Sequence, residues 1–380
     1  VQANGVVLLT CEYPPFPGGI GSYCGNLVRE VRNAGFATRV VAPRYPELPT
    51  VEEEGVERLL AHHKIPATAI PKTLSILRSA PANSILLAAD IRSVILARIL
   101  SPIHRRPYRV MIHGSEVAKL QSRNPVFALA RSAYLNAEML AANSQATLRI
   151  FEDALGAHRR AVVTYLGVAG SWFEETAGNF EQPELAALPA DAVIVCTVGR
   201  IEDRKGHLQA VAAVARARDF YGLKSPVFVV AGRPEDSAYL AAVLEEARRC
   251  KVRVVLAGVL SEADVKRLYK RAACLLLAAR TPPGRIEGFG LVVVEAGAQG
   301  CPTVATRVGG IPEALGPGGT LVELDDPDGM ARSVAAYAHD AEKRARDGAA
   351  ARLNAARFSW AACARKTFPE LPWPQLADQS

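Results

Sequence analysis

A chain of 380 residues is longer than one hydrophobic core usually serves, and its 49% hydrophobic and 22% charged content is that of an ordinary globular protein, so two domains are expected. No run of about 18 uncharged apolar residues occurs, and the start VQANGVVLLT lacks the basic, apolar and small-residue order of a secretory signal, so the chain reads as cytosolic. The net charge of +7 is concentrated in residues 1–180, with 19 Lys+Arg against 14 Asp+Glu, and aromatic residues scarcely interleave with the basic clusters, Tyr108 alone standing within one, which argues against nucleic acid.

Val6–Thr10 is a short apolar run bounded by a turn-rich segment, hence a buried strand, and Ser22–Ala34 reads as a helix ended by Gly35. Thr38–Ala42 is the next strand, and strand and helix alternate through Ile85–Ala89, Arg109–Ile112, Ala137–Ala142 and Ala161–Tyr165. Such alternation predicts a parallel sheet with crossover helices. Between about Gly170 and Asp191 the pattern dissolves into Gly, Pro and acidic residues, which marks an interdomain linker. A second α/β unit follows, with strands at Val193–Val198, Val227–Ala231, Val252–Ala257, Cys274–Leu277 and Thr303–Ala305. Helices are expected at Leu208–Ala217, Ala238–Arg249 and Glu262–Arg271, and residues past Pro369 read as a loosely held tail.

Seven cysteines, odd in number and without a C-x-x-C pair, indicate neither a disulfide framework nor a zinc site. The basic clusters His104-Arg105-Arg106 through Arg109, and Arg159-Arg160, suit either an ordinary solvated surface or a peripheral contact with anionic lipid at the inner membrane face.

The residues that carry chemistry lie mostly in the second half. Gly199-Arg200 follows a strand and Lys205-Gly206 stands five positions on, giving G-R-I-E-D-R-K-G. Two fixed cations at a strand's carboxyl end stabilise a departing diphosphate more in the transition state than in the ground state. From Arg285 to Glu313 the chain reads RIEGFGLVVVEAGAQGCPTVATRVGGIPE. Glu287 precedes Gly288-Phe289-Gly290, whose glycines let backbone amides approach an anion where a helix begins, and Glu295 lies about one turn into that helix. A phosphate-linked sugar between two carboxylates fits this arrangement. In the first half, Tyr13-Pro14-Pro15-Phe16-Pro17-Gly18-Gly19-Ile20-Gly21 joins the first strand to the first helix, a suitable lip for phosphate or acceptor. It fails the dinucleotide fingerprint, because the loop is too long and no acid ends Thr38–Ala42. His113-Gly114-Ser115-Glu116 ends another strand. The one Asp-x-Asp pair, Asp326-Pro327-Asp328, reads as a helix cap and not as a metal ligand.

These motifs resemble those of retaining glycosyltransferase family 4. The family's Glu-x₇-Glu signature matches Glu287, Phe289, Gly290, Leu291, Glu295 and Ala296, and its following turns match Gly300, Pro302, Val304, Ala305, Gly309, Gly310, Pro312 and Glu313. The preceding A-R-T-P-P-G-R-I-E is similar to bacterial mannosyltransferases that act on phosphatidylinositol-type lipids. The resemblance implies an α/β GT-B fold: two Rossmann-like parallel-sheet domains facing a central cleft, residues 1–175 for the acceptor and 188–358 for the nucleotide sugar. A C-terminal helix starting near Phe358–Trp360 is expected to cross back and complete the first domain with residues 360–380.

The same resemblance implies the site. Arg200 and Lys205 clamp the diphosphate, Glu287 contacts the transferred sugar, and Glu295 accepts from both ribose hydroxyls. Gly18, Gly19 and Gly288 through Leu291 line the donor, and Val259-Leu260 lie beside the nucleobase. His113 is near the donor sugar's hydroxyls, while Tyr13 and Glu116 serve the acceptor. The implied activity is transfer of a hexosyl group from a nucleotide sugar, GDP-mannose before UDP-sugars, to a hydroxyl of a glycan, a glycolipid or a small molecule. Retained anomeric configuration and no tightly bound metal or other cofactor are expected. Two other readings fit the same residues: a nucleotide-sugar epimerase or phosphorylase on this scaffold, or a non-catalytic sugar-nucleotide or lipid-binding protein.

Overall fold

The computed structural model describes residues 3–16, 18–48, 52–122 and 124–375. Pro17 of the first loop and the last five residues of the expected tail lie outside them. The chain divides into two compact units, Val1–Leu166 with Trp360–Ser380, and Gly167–Ser359.

The first unit holds a parallel sheet of β1 Gly5–Leu9, β2 Ala37–Arg44, β3 Val56–Ala61, β4 Ile85–Ala88, β5 Tyr108–Ile112, β6 Met139–Ala142 and β7 Ala161–Val163, in the order β3-β2-β1-β4-β5-β6-β7. The second holds β8 Ile194–Val198, β9 Val227–Ala231, β10 Arg253–Gly258, β11 Cys274–Leu277, β12 Thr303–Thr306 and β13 Gly319–Val322, in the order β10-β9-β8-β11-β12-β13, again all parallel. Strands covered by helices on both faces are largely apolar, and β1, β5, β9 and β11 are buried at every position, with Arg109 of β5 the one charged residue among them. Each sheet has its own closed core, Leu9, Val110 and Phe151 among the residues of one and Val195, Phe228 and Val304 of the other.

In both sheets the winding reverses beside the first strand of the unit, between β1 and β4 and between β8 and β11. At such a point successive connections leave to opposite faces, and a crevice opens beyond the strands' carboxyl ends. The loops following β1 and β5 in one unit, and β8 and β11 in the other, carry almost every residue singled out in the sequence.

Four elements differ from expectation. The first helix runs Gly19–Asn33 and so begins on the glycines themselves. The edge strands β3 and β13 were not anticipated, because VERLLA mixes charge with apolar residues and GTLV follows a glycine-rich turn. The segment expected as a linker is held against the second unit: Asp264 accepts from the backbone N–H groups of Glu181 and Gln182, at 3.0 and 2.9 Å.

The helix Trp360–Thr367 packs on the first unit, where Trp360 meets the Tyr23 ring at 6.3 Å. Its continuation is anchored by the fully buried Arg109, which donates to the Thr367 carbonyl at 2.7 Å and pairs with Glu370 at 2.6 Å. This alters the reading of the basic clusters. Arg160 pairs with Glu370 at 2.8 Å, and Arg106 donates to the carbonyls of Leu77, Ala80, Pro81 and Ala82. Three of the arginines proposed for an anionic surface are thus engaged within the fold, because burying carbonyls and a returning chain end requires donors. Among the described residues no helix is long and apolar enough to cross a membrane.

Candidate active site

The site in the second unit is built on glycines that only glycine can supply. Gly206 has φ +70°, and a Cβ there would lie 1.7 Å from the Ala278 carbonyl oxygen just beyond β11. The short helical turn Asp203–Lys205 is therefore pressed against the neighbouring strand end, which fixes where Lys205 points. Gly309 and Gly310 do the same for the second acid: the Gly310 N–H donates to the Glu287 carbonyl at 3.0 Å, and a Cβ on Gly309 would lie 2.0 Å from that oxygen.

These two clamps bring Glu287 onto Lys205, with Nζ 2.8 Å from the carboxylate, and onto Arg204, which donates to the same oxygen. All three are buried. Burial pushes the Glu287 carboxyl up, but the Lys205 and Arg204 cations outweigh it and hold the group below its ordinary range. Burial also lowers the Lys205 ammonium, and Glu287 restores only part of that shift. Arg204 bridges to Glu202 at 2.6 Å, and Glu202 in turn meets Arg285 at 3.0 Å and Arg200 at 3.3 Å. Arg200 stands half exposed at the rim and also pairs with Glu235 at 2.9 Å. The result is an interlocked cluster of four cations and three acids. Arg204 and Glu202 escaped notice in the sequence because they lie inside G-R-I-E-D-R-K-G, where only the outer cations matched a recognised pattern. Their alternation of opposite charges was the available signal.

Gly290, at φ +85°, caps the helix Leu291–Ala298, whose first turn carries no acid. Phe289 is a core residue packed edge-on against Phe358 at 5.3 Å, so its side chain is not part of a ligand surface. Gly288 is buried and Leu291 half-buried. Glu295 projects from this helix half-buried, without a hydrogen bond or ion pair among the described residues, and burial and then Glu262 raise its carboxyl to about 7. Ligand-free, it is therefore not the fully ionised acceptor the sequence suggested. Val259 is exposed and Leu260 half-buried beyond the edge strand β10, two strands from β8.

In the first unit, Gly18 precedes the helix Gly19–Asn33, and the space above Gly19 is open. His113 follows β5 with its Nε2 3.0 Å from the Ala89 carbonyl. A carbonyl only accepts, so Nε2 carries the proton and Nδ1 is the basic nitrogen. Burial lowers this imidazole's pKa, with Glu116 opposing, which keeps the ring neutral. Glu116 accepts from the His113 backbone N–H, a cap across the turn into its own helix. Tyr13 does not present itself to an acceptor: it is buried, and its hydroxyl donates to Glu53 at 3.1 Å. An aromatic beside a proline-rich loop packs inward for the apolar area it buries. Asp326 caps the helix Pro327–His339 through the Gly329 N–H at 2.7 Å, and Asp328 pairs with Arg216 at 2.6 Å.

Comparison with known proteins bears on the family and the fold. The family described as Glycosyltransferase Family 4 matches residues 17–169, and that described as Glycosyl transferases group 1 matches residues 180–354. The D-inositol 3-phosphate glycosyltransferase of Streptomyces griseus is 36% identical over 189 residues, 47% of this chain and 39% of the relative. That of Corynebacterium urealyticum is 30% identical over 242 residues, 59% of this chain and 54% of the relative. The matched stretch thus spans about half the length of these curated relatives or less. Among solved structures, the sucrose-phosphate synthase of Thermosynechococcus elongatus superimposes with a TM-score of 0.77 at 21% identity, covering 95% of this chain and 96% of that one. HepE of Anabaena, solved in complex with UDP, gives 0.76 at 19% identity, covering 95% and 97%. The fold is α/β of the GT-B class, and with the two family matches taking in most of its length, the chain belongs to glycosyltransferase family 4.

Proposed function

We propose that the protein transfers a hexosyl group from a nucleoside diphosphate sugar to a hydroxyl acceptor, with retained anomeric configuration. The observation that carries the reading is the pairing of Lys205 and Arg204 on Glu287 at the point where the second sheet's winding reverses. A diphosphate entering beside β8 competes with Glu287 for Lys205 and with Glu235 for Arg200, so cations already in place meet the charge that develops on the leaving group. Glu287, released in part, turns to the hydroxyls of the donor sugar. A carboxylate held by two cations is a poor nucleophile, which supports a same-face reaction in which the leaving phosphate helps to take the acceptor proton, without a glycosyl-enzyme intermediate. Arg200 and Lys205 supply the neutralising charge that a divalent ion supplies elsewhere, so transfer needs no metal on the diphosphate. Gly288, Gly290 and Leu291 offer backbone to the donor, Val259-Leu260 flank its base, and Glu295 receives the ribose hydroxyls. Gly18, Gly19, His113 and Glu116 serve the sugar and acceptor end.

GDP-mannose is the expected donor and UDP-sugars come next; the acceptor is a polyol, with an inositol phosphate the form suggested by the relatives' names. A thermal-shift comparison of GDP-, UDP- and ADP-sugars identifies the base, since a ligand at about 100 times its Kd stabilises by roughly 2.7 kcal/mol. Product analysis with and without acceptor then tests transfer. Consumption of the donor that depends on acceptor is expected, whereas isomerisation of the donor alone contradicts the reading.

A further inference from the structure

We propose that Glu12, His62 and His63 of the first unit bind one first-row dication of the zinc class. β3 ends at Ala61, and Ala61 and Lys64 exchange backbone hydrogen bonds of 3.0 Å each, closing a tight turn whose two central residues are both histidines. Neighbours on a strand point to opposite faces. Here His63 takes φ +55°, a conformation that side chains other than glycine's rarely adopt, and its ring stacks on that of His62 with centroids 3.8 Å apart. Glu12, on the loop after β1, brings its carboxylate to 3.7 Å from Nδ1 of His63. One ligand atom from each residue lies within 4.8 Å of those of the other two.

Two imidazoles and a carboxylate are a ligand set of the zinc type that leaves a fourth, open position for water or an anionic oxygen. Metal–ligand bonds of about 2.0–2.2 Å place tetrahedral ligands roughly 3.4 Å apart, so the three side chains need only close inward by about an ångström. Phe16 packs on the His62 ring at 4.1 Å and Tyr45 at 5.7 Å, an apolar wall that strengthens coordination behind it. Of the other charges that act on His63, Arg92 and Lys119 oppose a cation and Asp90 favours it. The thiol of Cys11, next to Glu12 in the chain, is buried and is not one of the grouped ligand atoms.

The ion would join the loop after β1 to the turn after β3. It would also place positive charge at the entrance to the helix Gly19–Asn33, where a Cβ on Gly18 would come within 3.1 Å of Glu12 Oε2. All three ligands belong to the first unit and the diphosphate cations to the second, so this site does not depend on the donor reading.

The test is titration of the chelator-stripped full chain with Co²⁺, read by visible absorption. One equivalent with tetrahedral d–d bands, no thiolate-to-cobalt charge transfer and displacement by Zn²⁺ is expected. Glu12→Gln and His63→Ala should each weaken binding at least tenfold. In the wild type, Zn²⁺ should shift the ring proton NMR signals of two histidines and leave the other five in place, a readout that needs no variant. Binding no tighter than that of free imidazole, a thiolate band, or affinity unchanged in both variants overturns the site.

Discussion

Lys205 carries the sharpest consequences at the scale of single residues. Its ammonium is buried against Glu287, and each charge-assisted contact to a diphosphate is worth roughly 1.5–3 kcal/mol, so Lys205→Ala should lower turnover by about one to two decades. Wild-type rates in that variant would remove the clamp from the account. Arg204 has a structural part as well. Removing it leaves Glu202 and Glu287 under-neutralised inside the fold, and Arg204→Ala should cost about 3 kcal/mol in denaturant unfolding. A loss below about 1 kcal/mol would show that Lys205 alone balances Glu287.

Glu295 makes a prediction about pH. Its folded carboxyl is raised from 4.5 to about 7, so in that window the folded protein holds a proton the unfolded chain has released. Stability of the ligand-free protein therefore declines as pH rises through the window, and Glu295→Gln should abolish the decline. Affinity for a nucleotide sugar should run the other way, strengthening as pH climbs through about 7, because the ionised carboxylate only accepts and suits two ribose hydroxyls. Calorimetric titration on either side of neutrality checks the sign, and a flat profile identical in the Gln variant would contradict it.

Among elements, the turn between β8 and the helix His207–Tyr221 shows how backbone decides side-chain position. Gly206→Ala puts a methyl into the Ala278 carbonyl at a left-handed position, which should cost at least about 1–3 kcal/mol and displace Lys205. Unfolding curves and turnover should thus fall together; an unaffected rate would mean that the turn does not aim the lysine. This turn was legible in the sequence because glycine, a cation and an apolar strand occur together. The same holds for Glu287, Gly290 and Glu295, whose spacing follows from a loop entering a helix. β3 and β13 were not legible: an edge strand needs only one buried face, and its pattern is too short to separate from a turn. Tyr13 and Phe289 were placed at the ligand by motif, yet both are buried, because a motif position does not say which way a side chain packs. The pairing of Arg204 with two acids, and the rise in the Glu295 pKa, depend on burial that a linear pattern does not contain.

For the whole molecule, each unit has its own sheet and core, and the second is continuous in sequence. Its two ends lie side by side, with the Val168 N–H donating to the Phe358 carbonyl at 3.0 Å and Val168 bridged to Ser359. Residues 167–359 expressed alone should therefore unfold in one cooperative transition and still bind a nucleoside diphosphate. The first unit instead depends on the returning helix: Arg109→Met breaks the anchor of Thr367 and Glu370, and should expose residues 360–375 to proteolysis before the rest. The central claim is that cations beyond β8 hold the nucleotide by its diphosphate. Calorimetric affinities of the nucleoside diphosphate and of the bare nucleoside, measured on the wild type and on Lys205→Ala, test it most directly. The account predicts at least a tenfold loss confined to the diphosphate; equal affinities in the two proteins, or an equal loss for the bare nucleoside, would contradict it.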